Sequence, residues 1–184
     1  MTQWMLFAAG SLILIVISWK SLHHPRSHGF YRFFAWECML GLFLVNVKFW
    51  FYKPLAWNQV IAWFLLIVCL IPLAFGVHSL RTRGKPTEHQ RAGDASLLAF
   101  EKTTTLVTSG IYQYIRHPLY SSLLLLTWGI FFKSPTLTGA TLAILSTVFL
   151  VLTAKADEAE CTHFFGSPYV EYMKHTKMFV PYIL

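Results

Sequence analysis

The chain has 184 residues, 55% of them hydrophobic and 12% charged, with 15 Lys and Arg against 8 Asp and Glu for a formal charge of +7. Ordinary soluble domains are about 45–50% apolar and about 25% charged, so this composition excludes the usual soluble class and points to a membrane. The basic residues are separated by long uncharged runs, with no continuous basic face and no zinc-finger, homeodomain or RNA-binding signature, which excludes nucleic acid as a partner.

In chain order, the first apolar run, Gln3 to Trp19, has no Lys or Arg before it and no small-residue cleavage pattern after it, and it reads as a retained spanning helix. His23, His24 and His28 follow as a single HHxxxH pattern. Di-iron membrane sites need several such boxes, so this stretch reads as a solvated or headgroup-facing loop and no metal is expected. Further runs lie at 34–52, 59–80, 118–132 and 137–154, each near the ~20 residues that cross ~30 Å of hydrocarbon. The fourth is short, and Lys133, Ser134, Pro135 and Thr136 join it to the fifth as a helical hairpin. Glu37 and Lys48, inside the second run, are three turns apart and cannot pair within one helix. The Trp and Tyr residues at the span ends, Trp19, Trp50, Tyr52, Trp57 and Trp63, read as interfacial anchors.

Cys38, Cys69 and Cys161 are too far apart in sequence for a close-spaced ligand motif, which argues against a disulfide framework or a structural zinc site. No two glycines stand two residues apart, so the GxG fingerprint of dinucleotide sites is missing.

Lys and Arg accumulate on the cytoplasmic side of membrane proteins. With the N-terminus outside, the inner segments carry Lys20, Arg26, Arg32, Arg81, Arg83, Lys85, Arg91, Lys102, Arg116, Lys155, Lys174 and Lys177, and the outer ones only Lys53 and Lys133. The chain therefore reads as all-α and polytopic, with about five transmembrane helices. Residues 1–80 form three N-terminal spans, and 81–184 a cytoplasmic loop, the hairpin and C-terminal cytoplasmic helices.

Two inner segments carry chemistry. Residues 103–120 read TTTLVTSGIYQYIRHPLY, in which Gly110 marks a turn and His117 caps a helix that Pro118 begins. A helix N-terminus suits an anion. After the hairpin the fifth span continues as AKADEAECTHFFG, closed by Gly166. Thr153, Asp157, Glu160, Cys161 and Phe164 share a face of it. Ser167 then reads as the cap and Pro168 as the first residue of a short helix with a stripe of Tyr169, Tyr172, Met173 and Thr176, which reads as packing on the ends of the other helices.

The run TLVTSGIYQYIRHPLY, the hairpin and DEAECTHFFGSPYVEYMKHTKMFVP together resemble the C-terminal half of the isoprenylcysteine carboxyl methyltransferases and their phospholipid methyltransferase relatives, over Thr104 to Pro181. The resemblance implies an integral membrane enzyme that moves a methyl group from S-adenosylmethionine to a lipophilic small molecule or lipid, at a cofactor site on the cytoplasmic face. Carried over, the cofactor residues are Thr104, Thr105, Leu106, Val107, Tyr112, His117, Pro118, Leu119, Tyr120 and Asp157, with Arg81, Arg116 and Glu158 as catalytic candidates. The side chains agree in kind: Asp157 or Glu158 accepts from an ammonium or ribose hydroxyls, Arg116 and the helix start hold a carboxylate, and Leu106, Val107, Tyr112 and Tyr120 offer walls for adenine.

Three positions depart from the family pattern. A glycine two residues after RHPxY is Ser122 here, the arginine that contacts the prenylcysteine carboxylate aligns with Thr153, and a glutamine ahead of the cofactor loop aligns with Leu97. The acceptor is thus expected to differ from a prenylcysteine carboxylate. Two other readings stand beside this one: an NADPH-dependent membrane reductase of the sterol-reductase type, which shares the C-terminal core but is usually longer, and a non-catalytic lipid-binding protein.

Overall fold

The structure, a computed structural model, describes residues 2–84 and 103–181. Seven α-helices are seen among them: α1 Thr2–Leu22, α2 His28–Asn46, α3 Trp57–Val68, α4 Leu70–Arg83, α5 Pro118–Lys133, α6 Leu137–Phe165 and α7 Ser167–His175. Four helical segments are long and apolar enough to cross a membrane: Gln3–Leu22, His28–Phe49, Trp57–Arg83 and Leu137–Phe165. The expectation was about five. The remaining run is α5, whose 16 residues rise about 24 Å, short of the ~30 Å hydrocarbon core.

The expected third span is α3 followed by α4, interrupted at Cys69. Pro72 explains the break, because it has no N–H to offer and its ring crowds the carbonyl four residues back, at Val68. The second span starts earlier than its apolar run suggests, at His28, where the Ser27 side chain caps α2 by accepting from the Phe30 N–H. His28 is fully buried, which corrects, for that residue, the reading of the histidine stretch as a solvated or headgroup-facing loop. Glu37 is not idle within the span: the Ser11 hydroxyl of α1 donates to it at 2.7 Å.

Packing follows from small residues and apolar stripes. Helix α2 lies along α6, with Leu42, Ile130 and Ala143 forming one buried cluster among α2, α5 and α6. Helices α3 and α5 come very close at Gly129, where an added Cβ would lie 2.9 Å from the Leu66 side chain and 3.3 Å from its backbone nitrogen. Helix α1 presents Trp4, Met5, Leu12, Val16 and Trp19 outward, an apolar surface that calls for lipid around it.

The bundle has two unlike ends. At one, Lys133 is buried at the end of α5, its Nζ 3.4 Å from the centroid of the Trp63 ring and bonded to Gln59 Oε1 and the Trp50 carbonyl. At the other end, the last turn of α4, residues 103–117, the lower half of α6 and α7 meet.

Candidate functional site

That second end is laced by the chain after α7. Residues 176–179 run alongside 114–117, with Ile115 and Lys177 in a parallel bridge. The N–H groups of Arg116 and His117 donate to the Lys177 and Met178 carbonyls at 2.8 and 3.1 Å, and the Lys177 N–H donates to the Tyr114 carbonyl at 3.1 Å. The Ser121 hydroxyl donates to the Phe179 carbonyl at 2.8 Å, and Phe179 is buried against Tyr120 and Ala154. These bonds fix the start of α5, where His117 is the cap and Pro118 the first residue, as the sequence predicts.

Two glycines shape the approach. Gly110 opens a short 3-10 turn, Gly110–Gln113, at φ 71°, with Arg83 and Ser79 atoms 2.9 Å from where a Cβ would stand. Gly166, at φ 68° and ψ −142°, turns α6 into α7, a conformation that a side chain strongly disfavours. Helix α7 begins one residue earlier than predicted, with Gly166 as the cap and Ser167 as the first residue.

Around this junction is a cavity of about 680 Å³, its open mouth included, walled by Leu80 of α4, Thr103, Leu106, Val107 and Tyr112 of the loop, Arg116 to Tyr120, Asp157, Cys161 and Phe165 of α6, and Tyr169 and Tyr172 of α7. Its floor is charged. The Arg116 guanidinium pairs with Glu158 at 2.6 Å, with both side chains largely buried, and it also donates to the Met173 and Thr176 carbonyls. His117 stacks on Tyr120 with ring centroids 5.3 Å apart, and its Nδ1 and Nε2 lie 3.5 Å from Asp157 and 3.4 Å from Glu158. Burial of the His117 ring disfavours its charge, but hydrogen bonding and attraction from Asp157 and Glu158 prevail, and its pKa is held above the ordinary histidine value. Burial pushes the phenols of Tyr169 and Tyr172 well up, so both stay neutral. Tyr172 donates to the Tyr112 carbonyl at 2.6 Å.

Of the residues singled out in the sequence, Leu106, Val107, Tyr112, Arg116, His117, Pro118, Leu119, Tyr120 and Asp157 line this cavity, and Glu158 touches two of them. Thr104 and Thr105 are not among the lining residues: their N–H groups reach the Gly84 carbonyl, while Thr103 takes a place on the wall. Arg81 is exposed and its neighbour Leu80 faces the cavity instead. On α6, Phe165 rather than Phe164 points in. Tyr169 and Tyr172, expected only to pack, are walls as well, and their aromatic spacing on α7 was the available signal. Leu97 lies outside the described residues. Ser122 and Thr153 are buried with their hydroxyls spent on their own helices, on the Leu119 and Phe149 carbonyls. Among the described residues no group of three or more His, Cys, Asp or Glu side chains could hold a metal ion.

Residues 92–166, which include most of this junction, match the phospholipid methyltransferase family. The chain is 25% identical over 179 residues to the methanethiol S-methyltransferase of Pseudomonas deceptionensis, a match covering 94% of this chain and 56% of that protein. It is 31% identical over 134 residues to the protein-S-isoprenylcysteine O-methyltransferase of Xenopus laevis, covering 71% of this chain and 43% of the relative. The human protein of the same name is 34% identical over 83 residues, covering 44% and 29%. The chain thus spans about half the length of such relatives or less. No solved structure matches it. Residues 92–166 thus carry the pattern of the phospholipid methyltransferase family, in agreement with the resemblance seen in the motifs.

Proposed function

We propose that the chain is an integral membrane methyltransferase that takes its methyl group from S-adenosylmethionine, at a site on the cytoplasmic face, and passes it to a lipophilic acceptor. The observation that carries this reading is the cavity itself: the motif-bearing segments of an otherwise apolar chain converge on one charged and aromatic pocket. The reductase and the non-catalytic readings find no support among the matching relatives.

The residues present fit the donor molecule. Asp157 is a carboxylate at the cavity wall for an ammonium or ribose hydroxyls. The start of α5 suits a carboxylate, and Leu106, Val107, Tyr112 and Tyr120 suit adenine. Arg116 has a different task from the one expected, because Glu158 and two carbonyls already occupy its guanidinium. It is a positioning residue that ties α5, α6 and the end of α7 together. Bound S-adenosylmethionine would supply an activated methyl group, so neither a metal nor a protein nucleophile is required. The chain's share is alignment and exclusion of water, an effect that reaches about 7–11 kcal/mol in favourable cases.

The acceptor differs from a prenylcysteine carboxylate in this reading, since Thr153 offers no cation there and bonds its own helix. Protein purified in detergent should bind S-adenosylhomocysteine, the demethylated product of that donor, in calorimetry. Asp157→Ala and Tyr120→Ala should each weaken binding about tenfold or more, the scale of one charge-assisted contact or one lost aromatic wall. Labelled methyl transfer into a lipid extract would reveal the acceptor. Tight NADPH binding with no affinity for the thioether would overturn the proposal.

A further inference from the structure

The tyrosines on the cavity wall differ in what their hydroxyls do. The Tyr172 hydroxyl donates to the Tyr112 carbonyl at 2.6 Å, and the Tyr120 hydroxyl to Asp157 at 3.4 Å. Tyr169 lines the same cavity and is only 4% exposed, yet its hydroxyl makes no hydrogen bond among the described residues. Its ring is held on both sides: it stacks on Phe165 with centroids 6.4 Å apart and tilts against Tyr172 at 5.8 Å. Buried hydroxyls are ordinarily bonded, so a phenol fixed by two rings and left without a partner is free to meet a ligand.

The groups around that oxygen decide what the ligand must offer. Asp157, Glu158 and Cys161 of α6 and Tyr172 of its own helix bear on it, and Asp157 and Cys161 are themselves on the cavity wall. Burial and these neighbours keep the phenol neutral, so it is no phenolate base. A hydroxyl dipole turns in the field around it. The two carboxylates draw the O–H toward themselves, which leaves the oxygen lone pairs facing the open space. The negative end of that dipole suits a positively charged group and gives little to a neutral one.

We infer that Tyr169 reads the positive charge at the donor's reacting centre: its phenol oxygen accepts from the polarised methyl group on the sulfonium and so distinguishes the sulfonium donor from the neutral thioether product. The inference rests on the methyltransferase reading. In that role Tyr169 determines specificity between the two forms of the cofactor. The contact exists only while the charge does, so the thioether is held less tightly than the donor that replaces it. Asp157 has a separate duty, because the ammonium and ribose that it suits are common to donor and product.

The test is calorimetry at neutral pH on the whole protein in detergent with three probes. These are S-adenosylmethionine; sinefungin, which carries an amine cation where the sulfonium stands; and S-adenosylhomocysteine, which is neutral there. The parent should bind sinefungin about tenfold tighter than S-adenosylhomocysteine, or more. Tyr169→Phe keeps the ring and removes the oxygen. It should weaken sinefungin about 10–100-fold, the worth of a hydrogen bond to a charged group, and S-adenosylmethionine about two- to fivefold, the worth of a C–H···O contact. S-adenosylhomocysteine affinity should stay near the parent value, and the thermal midpoint should not fall, because no bond within the protein is lost. Equal losses on all three probes would overturn the role of Tyr169, and so would no loss on any. A parent with no preference for sinefungin over S-adenosylhomocysteine would overturn it even where Tyr169→Phe does not fold. Failure of the parent to bind any of the three would instead strike the methyltransferase reading itself.

Discussion

His117 is the residue on which the charged floor of the site turns. It is 5% exposed, stacked on Tyr120 and within 3.5 Å of two carboxylates. Because its folded pKa lies above the unfolded value of about 6.5, the protonated ring contributes stability that is fully present below that value and lost as pH rises through the folded pKa. The thermal midpoint of the protein in detergent should therefore fall as pH climbs above the ordinary histidine range, and His117→Gln should flatten that dependence. A profile unchanged by the substitution would mean that the ring is neutral in the fold. Glu158 makes a second prediction at this scale. Removing it by Glu158→Ala leaves Arg116 largely buried without its carboxylate, which should cost about 3 kcal/mol in chemical unfolding, near the lower end for broken buried pairs because both side chains keep some solvent contact. The double variant Arg116→Met, Glu158→Leu should recover much of that loss, since it leaves no charge stranded.

Helices meet through what their sequences omit as much as through what they carry. Gly129 lets α5 lie against α3, with Leu66 side-chain and backbone atoms where a Cβ would go. Gly129→Ala must push the two helices apart and should cost about 1–3 kcal/mol, the usual toll of overpacking. Gly10 provides the control: there a Cβ would meet only the Leu40 side chain, so Gly10→Ala should leave the thermal midpoint nearly unchanged. The same element scale shows what the sequence could convey. Apolar length is local, so the spans of α1 and α6 were readable, and so were the His117–Pro118 start and the Gly166 stop. The break at Cys69 was signalled by Pro72 but masked by the continuous apolar run on both sides. Long-range placement was not readable. Nothing in the local pattern says that residues 177–179 lie beside 114–117, or that His28 pairs with Glu160 across 132 positions. The inward turn of Tyr169 and Tyr172 depends on the conformation at Gly166, and so was hidden for the same reason.

At the scale of the whole molecule, charge is sorted between the two ends of the bundle. The turn after α2 and the α5–α6 connection share one end, where Lys133 reaches the Trp50 carbonyl and Asn58 donates to the Phe132 carbonyl. The opposite end holds Arg116, His117, Asp157, Glu158 and the whole of α7. Of the 15 Lys and Arg, only Lys48, Lys53 and Lys133 lie at the first end, and the cytoplasmic bias of basic residues is the ground for proposing that the cavity faces the cytoplasm. Single cysteines can test this in intact cells after Cys38, Cys69 and Cys161 are replaced. Leu55 and Glu171 are both well exposed, at opposite ends. Leu55→Cys should react with a membrane-impermeant maleimide added outside, and Glu171→Cys only after permeabilisation. The reverse pattern would put the cavity outside, away from the cytosolic supply of S-adenosylmethionine, and the proposed chemistry would fail with the orientation.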